Sequence, residues 1–153
     1  GEFAAAPWLP DEGLIRVIPG PQDDHFSPAA MADLFGQEYR VTPQSDRMGI
    51  RLDGKPLAHR APVMADIVSD GVTPGVIQVP GNGQPIILLA DCQTVGGYPK
   101  IATVISADLP RLAQAKPGQP LRFVAVDLAQ ARAAREDQAL RWNHWVAGVR
   151  FDV

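Results

Sequence analysis

Short apolar runs separated by clusters of turn residues form the dominant pattern of hydrophobic and polar positions along this chain. The clearest example is a pair of runs at 76–79 and 85–90, which flank the turn cluster Pro-Gly-Asn-Gly at 80–83. Two apolar runs around an Asn-Gly turn predict a β-hairpin. The second run is apolar at consecutive positions, so we expect its strand to be buried on both faces.

Five further strands follow from the same pattern. Met48, Ile50 and Leu52 alternate with Gly49 and Arg51, which is typical of a half-buried strand. Short strands separated by dense turns, with few helices, predict a mainly β fold, most simply a β-barrel. The other four predicted strands span 14–18, 39–42, 101–105 and 121–126.

Two short helices carry recognisable start signals. Ser27 followed by proline predicts an N-cap for a helix over 28–35, which Gly36 ends. Either Ser106 or Asp108 is expected to cap a second short helix.

A longer helix is predicted at the C-terminus. Asp127 and Gln130 have the spacing of a capping box, and the helix is expected to run to about Trp145. Trp142 and Trp145 are three positions apart, so they are expected to lie together over apolar surface. This pattern indicates a helix that docks against the core or against another domain.

Length and composition are those of an ordinary soluble globular protein. The 153 residues, of which 46% are hydrophobic and 20% charged, suit one domain with a real core. We expect residues 1–13, where alanine and proline are frequent, to be a tag remnant and linker. Residues 14–153 are then the folded domain.

Charge and cysteine content argue against several classes of protein. A net charge of −3 disfavours nucleic acid and anionic membranes as partners. No apolar run approaches the ~20 residues needed to span a bilayer, and the first residues lack the features of a signal peptide. A single cysteine excludes an internal disulfide and fits a cytoplasmic location.

Several common catalytic signatures are missing from the sequence. It contains no glycine-rich phosphate loop and no Gly-x-Ser-x-Gly elbow. The scattered histidines lack zinc-ligand spacing, and the Asp-Asp-His cluster at 23–25 supplies too few fixed ligands, so we expect no metal site. Cys92 has no neighbouring base and is not expected to be a nucleophile.

The polar loop 91–100, directly after the hairpin, is the strongest candidate site. Such a loop can hold side chains over a pocket, while glycine lets a ligand approach the backbone. Its carboxylate, amide, phenol and ammonium groups suit a small amide or cyclic amide. The candidate catalytic residues are Asp91, Tyr98 and Lys100, and the candidate substrate-binding residues are Gln78, Gln93, Thr94, Gly96 and Gly97.

The charged groups near this loop have specific hypothetical roles. Asp91 is a candidate base or water-orienting group, and Lys100 is a candidate for stabilising negative charge on a carbonyl oxygen. The alternative is that Asp91 only caps a turn and Lys100 is solvated. Arg47 is a further candidate for substrate binding, because with Arg51 on one strand face it can hold a carboxylate or phosphate. The alternative for Arg47 is solvation or an ion pair with Asp46.

A longer pattern runs through the hairpin and its loop: Q-V-P-x-x-G-x-P-I-x-L-L-A-D-x-Q-T-x-G-G-Y-P-K-I-A-T-V-I at 78–105. Further blocks are R-V-I-P-G-P-Q at 16–22, S-D-R-M-G-I-R-L at 45–52 and D-I-V-S-D-G at 66–71. Together they resemble the C-terminal half of the carboxyltransferase-type family, also known as allophanate hydrolase subunit 2 or KipA-like proteins. Arg47 falls in one of these blocks, whereas Cys92 stands where the family usually has arginine.

This resemblance implies a fold and a set of functions. The fold would be a cyclophilin-like β-barrel, with residues 14–153 as the C-terminal lobe, or subdomain B, of a two-lobed domain. The function would be that of the C subunit of 5-oxoprolinase, in ATP-dependent opening of 5-oxoproline to glutamate. The alternatives are the carboxyltransferase region of a biotin-dependent urea carboxylase and a KipA-like module that antagonises a kinase inhibitor.

The resemblance also implies cofactors and partners. This chain would bind no cofactor itself, since ATP is used by the complex and biotin belongs only to the carboxylase alternative. The expected partners are the missing N-terminal lobe, the A and B subunits of 5-oxoprolinase and a small amide substrate, with a homo-oligomer as a further possibility. The chain alone is expected to fold but to lack activity.

Overall fold

Seven strands form a closed barrel in the computed structural model, which describes residues 13–148. The strands of the chain are β1 (Leu14–Pro19), β2 (Tyr39–Val41), β3 (Gly49–Asp53), β4 (Asp70–Gly71), β5 (Val76–Gln78), β6 (Ile86–Leu88), β7 (Val95–Gly96), β8 (Lys100–Val104) and β9 (Pro120–Ala125). The barrel order is β1-β8-β5-β6-β3-β2-β9, and β4 pairs with β7 in a separate two-stranded sheet. Apart from Gly13, the predicted linker lies outside the described residues.

Three α-helices accompany the strands: α1 (Pro28–Gly36), α2 (Leu109–Leu112) and α3 (Leu128–Gly148). The predicted cap of α1 is confirmed, because the backbone N–H of Ala30 donates to Ser27 Oγ at 3.1 Å. The capping box of α3 is confirmed in both directions, with bonds of 2.9 and 2.7 Å between Asp127 and Gln130. The predicted mainly β barrel with short helices and a C-terminal helix is therefore confirmed.

The predicted cap of α2 is wrong. Neither Ser106 nor Asp108 makes a side-chain capping bond, and both lie in a 3-10 turn before the helix. The Asp108 carboxylate instead accepts hydrogen bonds from the backbone N–H and the guanidinium of Arg16, at 2.8 and 2.7 Å. A partner 92 positions away in the sequence has displaced the local one.

Alternate residues of the strands fill the barrel, as the period-two pattern of β1 and β9 predicts. Side chains from α1 and from the turn before it complete this core. Its buried members include Ile15, Val17, Phe26, Leu34, Tyr39, Ile77, Ile87, Ile101, Leu121 and Phe123.

The β5–β6 hairpin is buried on both faces, which confirms the expectation from its consecutive apolar residues. Ile87 belongs to the barrel core. Leu88 belongs to a second cluster with Val72 and Val76, against which Cys92 packs. The hairpin therefore separates the barrel interior from a smaller apolar layer formed with the segments around it.

Strand directions define two ends of the barrel. At one end β6 stops and β3 begins, and there the backbone N–H of Asp91 donates to the carbonyl of Arg47 at 3.2 Å. At the other end β5 stops and β8 begins, and there Gln78 pairs with Lys100. Residues 91–99 run from the first end to the second. The polar loop predicted as one site therefore spans the barrel.

Candidate functional site

A buried lysine stands at the second end of the barrel. The Lys100 side chain is 5% exposed, and its Nζ donates a hydrogen bond of 2.9 Å to Asp70 Oδ2. The Asp70 side chain is 64% exposed and also accepts the backbone N–H of Gly71 at 2.8 Å. The hydrogen bond from Lys100 lowers the pKa of the Asp70 carboxyl below its ordinary value, and the bond from the Gly71 N–H lowers it further by a smaller amount. Lysine is rarely buried without such a partner, so the pair explains how the ammonium is accommodated.

A β-bulge places this lysine opposite Gln78. Ile77 pairs with Ala102, so an unbroken antiparallel register would pair Gln78 with Ile101. The register shifts there, and Gln78 pairs with Lys100 instead. Bulges commonly re-aim side chains next to functional sites. Here the bulge sets an ammonium and a carboxamide on neighbouring strands.

The Gln78 side chain is buried, at 3% exposure, and its oxygen is unsatisfied. Among residues 13–148, Gln78 Oε1 has no hydrogen-bond partner. Gly96 lies against it so closely that a Cβ at Gly96 would stand 2.9 Å from Oε1 and 3.3 Å from Val72 Cγ1. Buried polar atoms are normally paired, so this acceptor has the capacity for one further donor, such as a water or the N–H of a ligand.

The two-stranded β4–β7 sheet covers both groups at once, and we call it the flap. Asp70 and Gly96 are direct partners in its ladder. The flap therefore places the Asp70 carboxylate against Lys100 and Gly96 against Gln78. A hollow of about 480 Å³ borders it, lined by Asp70, Gln22 and others. Gln22 Oε1 accepts the backbone N–H of Lys100 at 2.9 Å, which connects the hollow to the lysine.

A second cavity, of about 660 Å³, lies at the first end of the barrel, and we call it the Arg47 cleft. Arg47, Asp46 and Asp91 supply charge on its wall, and most of the remaining wall is apolar. The apolar lining includes Ile50, Leu89, Leu109, Leu112 and Pro117. A guanidinium and a carboxylate beside apolar walls can hold a small charged molecule.

The sequence of this barrel matches one protein family over most of the chain. The family described as "Carboxyltransferase domain, subdomain A and B" matches residues 3–125. The chain belongs to this family. The matched range of this carboxyltransferase domain contains both cavities and the flap, and it ends before α3 begins.

Relatives of this carboxyltransferase domain are found among curated proteins and solved structures. It is 45% identical over 124 residues to the C subunit of 5-oxoprolinase from Escherichia coli (strain K12), covering 81% of this chain and 39% of that protein. It is 41% identical to the C subunit of 5-oxoprolinase from Haemophilus influenzae, covering 88% of this chain and 42% of that protein. The crystal structure of the K. lactis urea amidolyase aligns with a TM-score of 0.78 at 26% identity, covering 82% of this chain and 8% of that one. The chain thus spans about two fifths of the two 5-oxoprolinase relatives.

The structure does not bring all the predicted site residues of the carboxyltransferase domain together. Lys100, Gln78 and Gly96 meet at the flap, whereas Arg47 and Asp91 line the cleft at the other end. A strand rise of about 3.3 Å per residue separates the two groups by roughly 10 Å or more along the barrel. Their predicted roles are therefore considered as two separate sites.

The remaining candidates lie on the loop between the two ends. Gln93, Thr94 and Tyr98 are exposed. The carbonyls of Thr94 and Gly97 accept the backbone N–H groups of Val72 and Ile67, at 3.0 and 2.8 Å, and so join the two segments of the flap to each other. A Cβ at Gly97 would meet only ordinary contacts at 3.6 Å and beyond, so Gly97 is not sterically required as Gly96 is.

The two arginines considered together in the sequence serve different surfaces. Arg47 precedes β3 and lines the cleft, whereas Arg51 lies within β3 and borders another cavity. They therefore do not form one bidentate clamp. Asp46 caps a turn by accepting the backbone N–H groups of Met48 and Gly49, at 2.8 and 3.2 Å.

Asp70 is the residue of this site that sequence reasoning missed. It lies 30 positions from Lys100, and nothing in the local pattern indicates that the two meet. The available signal was its place in the block D-I-V-S-D-G at 66–71, which is one of the blocks that carry the family resemblance.

Metal-ligand clusters and membrane spans are both missing from the described part of the carboxyltransferase domain. Within residues 13–148, no three His, Cys, Asp or Glu side chains converge in the manner of metal ligands. In the same part of the chain, no helix combines the length and apolar character needed to cross a membrane.

Proposed function

We propose that this chain is the C-terminal lobe of a protein like the C subunit of 5-oxoprolinase and takes part in ATP-dependent opening of 5-oxoproline to glutamate within a multi-subunit complex. The observation that carries this proposal is the 45% and 41% identity to two 5-oxoprolinase C subunits, against 31% and 30% to two curated urea amidolyases.

The substrate has two recognisable groups, a carboxylate and a cyclic amide. An ammonium in a nearly dry site binds a carboxylate strongly, and a carboxamide oxygen accepts an amide N–H. Lys100 and Gln78 present these two complements side by side on neighbouring strands. We therefore propose that 5-oxoproline binds at the flap, beside the hollow that Asp70 lines. Lys100 and Gln78 do not line that hollow, so the flap has to uncover them first.

The Arg47 cleft is then available for a second component of the reaction. Opening the ring adds water to the amide carbonyl, breaks the C–N bond and leaves the nitrogen to take up a proton, while ATP supplies the driving force. The Arg47 guanidinium suits an anion such as a phosphate. Asp91 lies roughly 10 Å or more along the barrel from the proposed position of the ring, so its carboxylate is proposed to orient this second component and not the water that attacks the ring. Tyr98, at the end of the same loop, is the proposed third catalytic group.

The whole reaction is proposed for the complex and not for this lobe alone. The sequence offers no phosphate-cradling glycine loop, so ATP is proposed to bind on the A and B subunits or on the N-terminal lobe. Pockets favour domain interfaces, so the missing lobe is expected to complete the site. Carboxyl transfer to a urea-like amide, with biotin, is the second candidate, which the alignment with the urea amidolyase favours.

Reconstitution of the full-length protein with its companion subunits tests the proposal. We expect glutamate to form from 5-oxoproline only when ATP is present, and urea with biotin, bicarbonate and ATP to give no carboxylated product. This lobe by itself is expected to be inactive. Carboxylation of urea without turnover of 5-oxoproline would contradict the proposal and support the second candidate.

A variant of the cleft refines the same experiment. Asp91→Asn is expected to lower kcat without changing KM for 5-oxoproline, because the cleft lies at the other end of the barrel from the proposed binding site. Arg51→Gln is the matched control, since Arg51 is a nearby exposed residue that does not line the cleft. Parental kcat in Asp91→Asn would remove Asp91 from the mechanism.

A further inference from the structure

We infer that Asp70 is an internal surrogate for the carboxylate of the substrate, and that the flap must release it from Lys100 before a small carboxylate with an amide N–H can bind. This inference rests on the proposed function for the identity of that molecule. Beyond the proposed function, the inference assigns a role to Asp70. It also adds a step in which the carboxylate of the substrate replaces the carboxylate of Asp70 at Lys100.

The first support is the asymmetry of the ion pair. The ammonium belongs to the barrel wall and is 5% exposed, whereas the carboxylate belongs to the flap and is 64% exposed. An anion that competes for Lys100 therefore has to displace a side chain that already faces solvent. The lysine itself does not have to move.

The second support is the spare bonding capacity at the site. An ammonium carries three donors, and among the described residues Asp70 is the hydrogen-bond partner of Lys100 Nζ. Gln78 Oε1 is a buried acceptor with no partner among the same residues. A ligand with a carboxylate and an amide N–H would satisfy both groups, whereas Asp70 satisfies only one.

The third support is that one element covers both groups. Asp70 and Gly96 are ladder partners in the flap, and Gly96 is the residue against Gln78 Oε1. Movement of two strands of two residues each would uncover the ammonium and the acceptor together. The flap is short, so few backbone hydrogen bonds oppose such movement.

Exchange also links flap opening to the presence of an anion. A buried ammonium without a partner is costly, so the flap stays closed when no carboxylate is available. A substrate carboxylate removes that cost by replacing Asp70. A neutral lactam cannot do so, and the site therefore selects carboxylate-bearing molecules over simple amides.

Binding measurements on the full-length protein test the inference without requiring turnover. The probes are 5-oxoproline and 2-pyrrolidone, which is the same ring without the carboxylate, measured by calorimetry or NMR titration. Asp70→Asn is expected to tighten binding of 5-oxoproline by about tenfold, because a competing charge-assisted hydrogen bond is lost. Binding of 2-pyrrolidone should remain weak in both proteins.

Two further variants serve as controls. Asp33→Asn removes another carboxylate, one that pairs with Lys55 at 3.1 Å, and is expected to leave binding unchanged. Lys100→Met in the Asp70→Asn background should abolish the gain, and circular dichroism establishes that both variants fold. Equal or weaker binding by folded Asp70→Asn of 5-oxoproline and of every other small ring carboxylate tested would overturn the inference. If another small ring carboxylate binds Asp70→Asn more tightly than the parent while 5-oxoproline does not, the result supports carboxylate exchange and contradicts 5-oxoproline as the substrate.

Discussion

Lys100 and Asp70 are joined at 2.9 Å, although the lysine side chain is 5% exposed and the aspartate side chain is 64% exposed. The pair thus connects the barrel wall to a small exposed sheet. Its two ends differ in burial and solvation, and this difference makes the pair suitable for exchange with a ligand.

Acid titration of Asp70 is a direct measure of this contact. The hydrogen bond from Lys100 lowers the pKa of Asp70 in the folded protein, so the pair stabilises the fold above the unfolded pKa of about 4. That stabilisation is lost as the pH falls through the lowered folded pKa. Lys100→Met is expected to raise the pKa of Asp70 toward its ordinary value, as followed by NMR of the carboxyl carbon. Identical titration of Asp70 in both proteins would mean that the pair does not form in solution.

Gly96→Ala tests the close approach of the flap to Gln78. The added Cβ would stand 2.9 Å from Gln78 Oε1, so we expect a loss of about 1–3 kcal/mol in the free energy of unfolding. Gly97→Ala is the matched control, because its Cβ would meet nothing nearer than 3.6 Å. Denaturant unfolding measures both changes. A similar loss in the two variants would show that the contact with Gln78 is not the cause.

The Arg16–Asp108 pair is expected to support the barrel and not the chemistry. Asp108 is fully buried, and its hydrogen bond raises the pKa of the Arg16 guanidinium. Asp108→Ala should lower the free energy of unfolding by about 2–3 kcal/mol, less than for a fully buried pair because Arg16 retains some exposure. Glu38→Gln, which breaks an exposed pair with Arg40, should cost about 1 kcal/mol or less. Equal effects of the two substitutions would contradict this assignment.

The end of α3 is expected to mediate association. Trp142 and Trp145 stack with ring centroids 5.3 Å apart and are 53% and 50% exposed, and α3 has no buried residue. Exposed apolar surface of this kind favours a partner, which we expect to be the missing lobe or a second copy. Trp142→Glu with Trp145→Glu should abolish association in sedimentation experiments, whereas Arg132→Glu should not. A parent chain that stays monomeric with and without the N-terminal lobe would refute the prediction.

Sequence reasoning succeeded wherever the determining contacts are local. The cap of α1 and the capping box of α3 depend on residues within four positions, and both are confirmed. The predicted pairing of Trp142 with Trp145 is also confirmed, but both rings are half-exposed and do not lie over apolar surface of the described residues. The two-sided burial of β6 follows from its consecutive apolar residues. The short strands and dense turns predicted the barrel, and the family resemblance implied the same fold.

Sequence reasoning failed where partners are distant in the chain. Asp108 has a helix-capping position, but its partner Arg16 comes from β1 and no local pattern indicates it. The bulge that pairs Gln78 with Lys100 is a property of strand register, which depends on the whole sheet. The split between Lys100 and Asp91 arises because the loop between them runs along the barrel, whereas sequence proximity indicates one pocket.

The central claim is that the flap end of this barrel binds 5-oxoproline through Lys100 during its ATP-dependent opening. The most direct measurement is glutamate formation by the full-length protein with its companion subunits, comparing Lys100→Met with Lys55→Met, which alters an exposed lysine. We expect Lys100→Met to lower the rate by about 100-fold or more and Lys55→Met to retain the parental rate. A parental rate in correctly folded Lys100→Met would contradict the account.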